Sequence, residues 1–125
     1  MKKILVVDDD QDLSGLIKEV LNKGGYKVLI SLDPKTGLDI ARQERPDLIL
    51  MDVMLPGMNG AEMVKILKSE SMLRDIPIIF LTGLLSNNEK YNGEAGIKVG
   101  EKYYVAIAKP FEIKDLLAKV KGIIG

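Results

Sequence analysis

Six polar side chains stand directly after short apolar runs in this chain. Asp8, Asp9 and Asp10 follow Ile4–Val7, Asp52 follows Asp47–Met51, Thr82 follows Ile76–Leu81, and Lys109 follows Tyr103–Ala108. Carboxylates grouped without histidine or cysteine suit a hard divalent cation, and Mg2+ in particular keeps several waters while taking one or two carboxylates and a phosphate oxygen. A lysine facing them holds the same phosphate by charge, since unit charges about 4 Å apart at an effective dielectric of about 20 attract by roughly 4 kcal/mol. The chemistry these residue types describe is phosphoryl transfer, with one aspartate acting as nucleophile to form an acyl phosphate.

Each of these residues also has a plainer reading. Asp10 or Asp12 suits the N-cap of a helix that follows the first run. Asp52, Thr82 and Lys109 taken singly are ordinary loop residues. Asp8 and Asp9 are different, because adjacent carboxylates at the end of an apolar strand repel and require a compensating cation. The information lies in the joint placement.

The elements that must position these groups follow from the apolar patterning. Short β-branched runs alternate with segments of helical spacing, which is a βα repeat. The strand candidates are Ile4–Val7, Lys27–Ile30, Asp47–Met51, Ile76–Leu81 and Tyr103–Ala108. Most lack alternation, as strands of a parallel sheet covered on both faces do. Leu13, Leu16, Ile17, Val20 and Leu21 form one apolar stripe of a first helix that Gly24-Gly25 stops. Further helices are expected from about Pro34 to Glu44, which Gly37 interrupts, from Gly60 to Ser69 and from Ile113 to Ile124. Loops after parallel strands gather at one sheet edge, beside the point where strand order reverses, so the six polar residues converge on one rim. Gly83–Lys102 resists this reading: a short helix over Asn87–Asn92, or a hairpin pairing Ile97–Val99 with Tyr103–Val105, are both open.

Composition bounds the rest. The 125 residues suit one domain that buries roughly two-thirds of its unfolded surface. With no cysteine and no histidine, disulfides, thiolate or imidazole metal sites and a Ser-His-Asp triad are excluded. Eighteen basic against 18 acidic side chains give no broad basic field for nucleic acid. No apolar run approaches the about 20 residues that span a bilayer, and the start Met1-Lys2-Lys3 leads into too short an apolar stretch for a signal peptide. The expectation is a soluble, cytoplasmic protein.

The chain resembles the response-regulator receiver domain of two-component signalling from end to end, residues 1–125. The resemblance is carried by Ile4–Asp10, by Leu50-Met51-Asp52-Val53-Met54-Leu55-Pro56-Gly57-Met58-Asn59-Gly60, by Ile79–Gly83 and by Ala108-Lys109-Pro110-Phe111. It implies a flavodoxin-like (βα)5 α/β sandwich of three layers, with a parallel sheet in the order 2-1-3-4-5. It also implies roles: Asp52 as phosphoacceptor, Asp8 and Asp9 with Asp52 and the Met54 carbonyl as Mg2+ ligands, Thr82 as switch hydroxyl and Lys109 as phosphate contact. Pro110 resembles the family's cis-peptide position. The implied partners are a histidine kinase or phosphotransfer protein as donor and a downstream protein target, with a phosphorylation-dependent homodimer also compatible. No enzyme turnover, membrane contact or direct nucleic-acid contact is implied, and only one helix follows Phe111.

Two departures from the family pattern stand out. Family members usually carry an aromatic residue three positions before the lysine; here Ala106 stands there, with Tyr103 and Tyr104 upstream. The stretch between Thr82 and Lys109 is also longer and richer in glycine, so Gly83–Val105 is expected to be remodelled and to read out phosphorylation differently. Apolar Met54 and Leu84, two positions beyond Asp52 and Thr82, predict slow loss of phosphate. Rival readings are a phosphorylation-independent interaction module, and a haloacid-dehalogenase-type phosphatase suggested by Asp8-x-Asp10. The latter needs an acidic pair after a further strand, whereas Glu112 and Asp115 fall in the last helix. A flavodoxin-like electron carrier is disfavoured because Asp8–Asp10 would repel a flavin phosphate.

Overall fold

A computed structural model describes residues 1–82, 90–91 and 94–125. The elements run β1 (Lys3–Val7), α1 (Gln11–Lys23), β2 (Lys27–Ser31), α2 (Pro34–Glu44), β3 (Leu48–Asp52), α3 (Gly60–Ser69), β4 (Ile78–Thr82), β5 (Lys90–Tyr91), β6 (Glu94–Val99), β7 (Lys102–Ala108) and α4 (Ile113–Ile124).

The helices start where short polar side chains satisfy their first free amides. The Asp10 carboxylate accepts from Leu13 N, Asp33 from Thr36 N and Asn59 from Glu62 N, at 3.0, 2.8 and 2.8 Å. Pro34 occupies the first turn of α2, where its missing N–H costs nothing. Gly37 does not break α2 because it is a contact point. A Cβ there would stand 3.0 Å from Val7 Cγ2 and 3.3 Å from Met63 Cε, so its absence lets α2 approach β1 and α3.

One sheet runs in the order β2-β1-β3-β4-β7-β6-β5. The first five of these strands are parallel, so the expected order 2-1-3-4-5 holds with β7 as the fifth parallel strand. Alternate residues project to opposite faces. On one face Leu5, Val7, Met51 and Phe80 pack against Leu38 and Ala41 of α2 and Met63 and Leu67 of α3. On the other, Ile4, Val6, Leu50 and Leu81 pack against Ile17 and Leu21 of α1 and Leu116 and Val120 of α4. The result is the three-layer sandwich.

The sheet does not end at the fifth parallel strand, which corrects the expectation of five strands. β6 pairs antiparallel with β7, Ile97 opposite Tyr104 and Val99 opposite Lys102, and β5 pairs antiparallel with β6. The hairpin alternative therefore holds. Its loop is Gly100-Glu101, with Gly100 at φ 65°, a conformation glycine adopts without steric cost. Most of the helix considered over Asn87–Asn92 lies outside the described residues, but Lys90–Tyr91 within it are extended strand. Val99 is buried and Ile97 half-buried against the α2–α3 side of the core.

Candidate functional site

The C-terminal edge of the parallel strands gathers the residues singled out by the sequence. Asp8 follows β1, Asp52 ends β3, Thr82 ends β4 and Lys109 follows β7. Strand order places β4 between β3 and β7, so Thr82 stands between the strands bearing Asp52 and Lys109.

Asp8 is fully buried while Asp9 is exposed. A buried carboxylate needs partners, and Asp8 has them: Oδ1 accepts from Asp10 N at 3.0 Å, and Oδ2 accepts from Lys109 Nζ at 2.8 Å. Lys109 Nζ also donates to Asp52 Oδ2 at 3.1 Å, and Met54 N donates to Asp52 Oδ1 at 3.1 Å. One ammonium thus bridges two carboxylates from different strands. Burial works to lower the Lys109 ammonium, but its hydrogen bonds to Asp8 and Asp52, with their charges, outweigh this and raise it above its ordinary value.

Carboxylate oxygens of Asp8, Asp9 and Asp52 all lie within 4.8 Å of one another. Three formal negative charges face one ammonium, and among the described residues the Asp9 carboxylate has no ion-pair partner. The excess of two charges, borne entirely by oxygen donors, matches a hard divalent cation in charge and ligand type.

Backbone bonds fix the rim. Lys109 N donates to Thr82 O at 2.8 Å, continuing the β4–β7 ladder to the site, and Asp8 N donates to Ser31 O at 3.1 Å. The Lys109–Pro110 peptide is cis, as the resemblance implies. Thr82 is buried, and Met54 presents a side chain that is 62% exposed beside Asp52. Leu84 lies outside the described residues.

Two supporting positions escaped the sequence reading. The buried Ser14 hydroxyl donates to the Asp8 carbonyl at 3.4 Å. Gly60 lies under the Asp52 backbone: its N donates to Val53 O at 2.7 Å, and a Cβ would stand 2.9 Å from both Asp52 O and Phe80 Cε1. Phe80 pairs in register with Ala106, and its ring meets that of Tyr104 edge-on at 6.0 Å. The aromatic residue absent at 106 is therefore offset two residues along the same face of β7, where Tyr104 is buried. An asparagine-glycine pair at a helix start was the available signal for Gly60; nothing in sequence pattern marks Ser14.

A family model for the response regulator receiver domain matches residues 4–121. The chain is 35% identical over 123 residues to the phosphate regulon transcriptional regulatory protein PhoB of Klebsiella pneumoniae, covering 98% of this chain and 52% of that protein. It is 37% identical over 123 residues to the alkaline phosphatase synthesis transcriptional regulatory protein PhoP of Bacillus subtilis, covering 98% and 48%. The chain spans about half the length of these curated relatives. Among solved structures, chemotaxis response regulator CheY4 of Vibrio cholerae aligns with a TM-score of 0.83 at 32% identity, covering 98% of both chains. With the fold, the site and these similarities in agreement, the chain belongs to the response regulator receiver domain family of two-component signalling.

Proposed function

We propose that Asp52 accepts a phosphoryl group from a phosphohistidine of another molecule, a histidine kinase or a phosphotransfer protein. The observation that carries this reading is the convergence of the Asp8, Asp9 and Asp52 oxygens within 4.8 Å, with Lys109 hydrogen bonded to two of them. These 125 residues contain no histidine, so the donor imidazole lies outside them. Asp8, Asp9, Asp52 and the Met54 carbonyl are the proposed Mg2+ ligands; when bound, the ion supplies a Lewis acid that neutralises phosphoryl charge.

Transfer forms a bond between an Asp52 carboxylate oxygen and phosphorus and breaks the phosphorus–nitrogen bond, whose electron pair leaves with the donor imidazole. The product is an acyl phosphate. Lys109, already held 3.1 Å from Asp52 Oδ2, exchanges that contact for a phosphoryl oxygen. The Thr82 hydroxyl donates to another phosphoryl oxygen and draws the end of β4 inward, a local charge biasing a two-state element. A groove of about 370 Å3 lined by Leu13, Leu16, Pro110 and Phe111 opens beside Lys109 and offers the donor apolar surface next to the acceptor. The protein works as a stoichiometric cytoplasmic switch passing its state to a protein target, without enzymatic turnover of its own.

Intact-mass measurement after incubation with acetyl phosphate and MgCl2 tests this reading. A gain of one phosphoryl group that disappears with a metal chelator supports it. No gain, or an equal gain with the chelator present, refutes it.

A further inference from the structure

A second charged cluster sits at the end of the sheet opposite Asp52. Lys102 opens β7 and Lys109 follows its other end; the seven strand residues, at about 3.3 Å each, separate the two by roughly 23 Å. There Lys68, Arg74, Lys102, Tyr103, Tyr104 and Ile123 line a cleft of about 310 Å3 between α3, the starts of β4 and β7, and the end of α4.

Two ammonium groups share one ring. Lys68 Nζ lies 5.9 Å and Lys102 Nζ 5.5 Å from the Tyr104 ring centre, while Lys98 Nζ lies 5.8 Å from that of Tyr103. Among the described residues, none of Lys68, Arg74, Lys98 and Lys102 forms an ion pair with a carboxylate. Asp75 is the acidic residue lining the cleft. Burial, and then the charge of Lys102, push the Lys68 ammonium below its ordinary value, with Asp75 acting in the opposite sense. Lys68 is nonetheless held in place, donating to Arg74 O at 2.6 Å and Ile76 O at 2.9 Å. Three cationic side chains against the single carboxylate of Asp75 leave an excess of positive charge that favours an incoming anion, and the fixed ammonium loses little freedom when one arrives.

We propose that this cleft docks an acidic segment of a protein partner, its carboxylates meeting Lys68, Arg74 and Lys102 and its aliphatic side chains covering Tyr103 and Ile123. Tyr103 is 44% and Ile123 38% exposed, so the cations are edged by apolar surface that a bare anion would leave wet. Nucleic acid fits less well. The charge of the whole chain is balanced, and Lys68, Arg74 and Lys102 gather about one cleft instead of tracking a phosphate backbone.

Titration of the isotope-labelled full chain with a decapeptide alternating glutamate and leucine, followed by amide chemical shifts, tests the proposal independently of phosphorylation. Shifts centred on Lys68, Arg74 and Lys102–Tyr104 are expected, with none from a decapeptide alternating lysine and leucine. Affinity is expected to fall by about tenfold or more in Lys68→Gln/Lys102→Gln. Arg74→Glu/Lys102→Glu, which alters exposed side chains alone, is expected to do the same with an unchanged melting temperature. Shifts centred elsewhere, equal affinity in both variants, or capture by phosphatidylglycerol vesicles without peptide binding would each overturn it.

Discussion

Lys109 and Asp8, 101 positions apart in the chain, meet at 2.8 Å through a partly buried charge-assisted hydrogen bond, and the same ammonium reaches Asp52 at 3.1 Å. The bridge has an asymmetric energetic consequence. Lys109→Gln leaves a fully buried Asp8 carboxylate beside Asp52 and Asp9, and is expected to lower the unfolding free energy by roughly 3 kcal/mol in the absence of Mg2+. Asp52→Asn keeps the Asp8–Lys109 pair and removes repulsion, so it should change stability by less than about 1 kcal/mol. Urea denaturation with and without MgCl2 measures both, and added Mg2+ should recover part of the Lys109→Gln loss.

Gly60 supports the acceptor from below. Gly60→Ala places a methyl group 2.9 Å from Asp52 O and Phe80 Cε1 and 3.1 Å from Val53 Cα, two of which are backbone atoms that cannot swing aside. Its expected cost is about 1–3 kcal/mol. Gly15→Ala is the control: it lies on the exposed side of α1 with nothing within 4 Å, and should stabilise by about 0.5–1 kcal/mol through helix propensity. Equal effects in thermal denaturation would contradict the packing argument.

Met54 bears on how long a phosphoryl group persists. Its exposed thioether stands beside Asp52 and offers no hydrogen bond strong enough to orient an attacking water. Met54→Asn, which keeps a side chain at that position but adds a polar amide, should accelerate loss of the group from the phosphorylated protein. A decay rate unchanged by the substitution would remove the basis for a slow, side-chain-limited reversal.

Away from the site, Arg42 of α2 joins Glu70, just beyond α3, through hydrogen bonds at 2.8 and 3.0 Å. These hydrogen bonds, with the guanidinium charge, hold the Glu70 carboxyl below its ordinary value of 4.5 against a smaller opposing effect of burial. Because the folded-state value is depressed, the contribution is fully present above pH 4.5 and is lost as pH falls through the lower folded value. The stability difference between the wild type and Glu70→Gln should therefore be constant near neutrality and shrink below pH 4.5. Chemical denaturation across that range measures it.

Much of this architecture is legible in residue patterning, because the parallel core buries both faces of each strand and leaves continuous apolar runs such as Ile4–Val7 and Leu48–Met51. The site is legible for a related reason: each parallel strand ends at a polar residue or is followed by one, and topology alone brings strand ends together. Residues Gly83–Lys102 were ambiguous because glycines at 93, 96 and 100 break helix and strand periodicity alike. Ile97 and Val99 alternate as in a strand, but only pairing with Tyr104 and Lys102 decides the hairpin. Gly37 looks like a helix weakness in sequence, but any Cβ there would stand 3.0 Å from Val7 Cγ2, which makes it a packing requirement. The Phe80–Tyr104 contact joins residues on neighbouring strands out of register, and local sequence carries no trace of it.

The central claim is that the phosphoryl group resides on Asp52. Borohydride reduces an aspartyl acyl phosphate to homoserine while leaving free carboxylates intact, so reduction after treatment with acetyl phosphate and MgCl2, followed by peptide mass mapping, locates the acceptor. Homoserine at position 52 alone, absent from a sample treated with chelator, is the predicted result. Homoserine at position 8 or 9, or none at any position, would contradict the account.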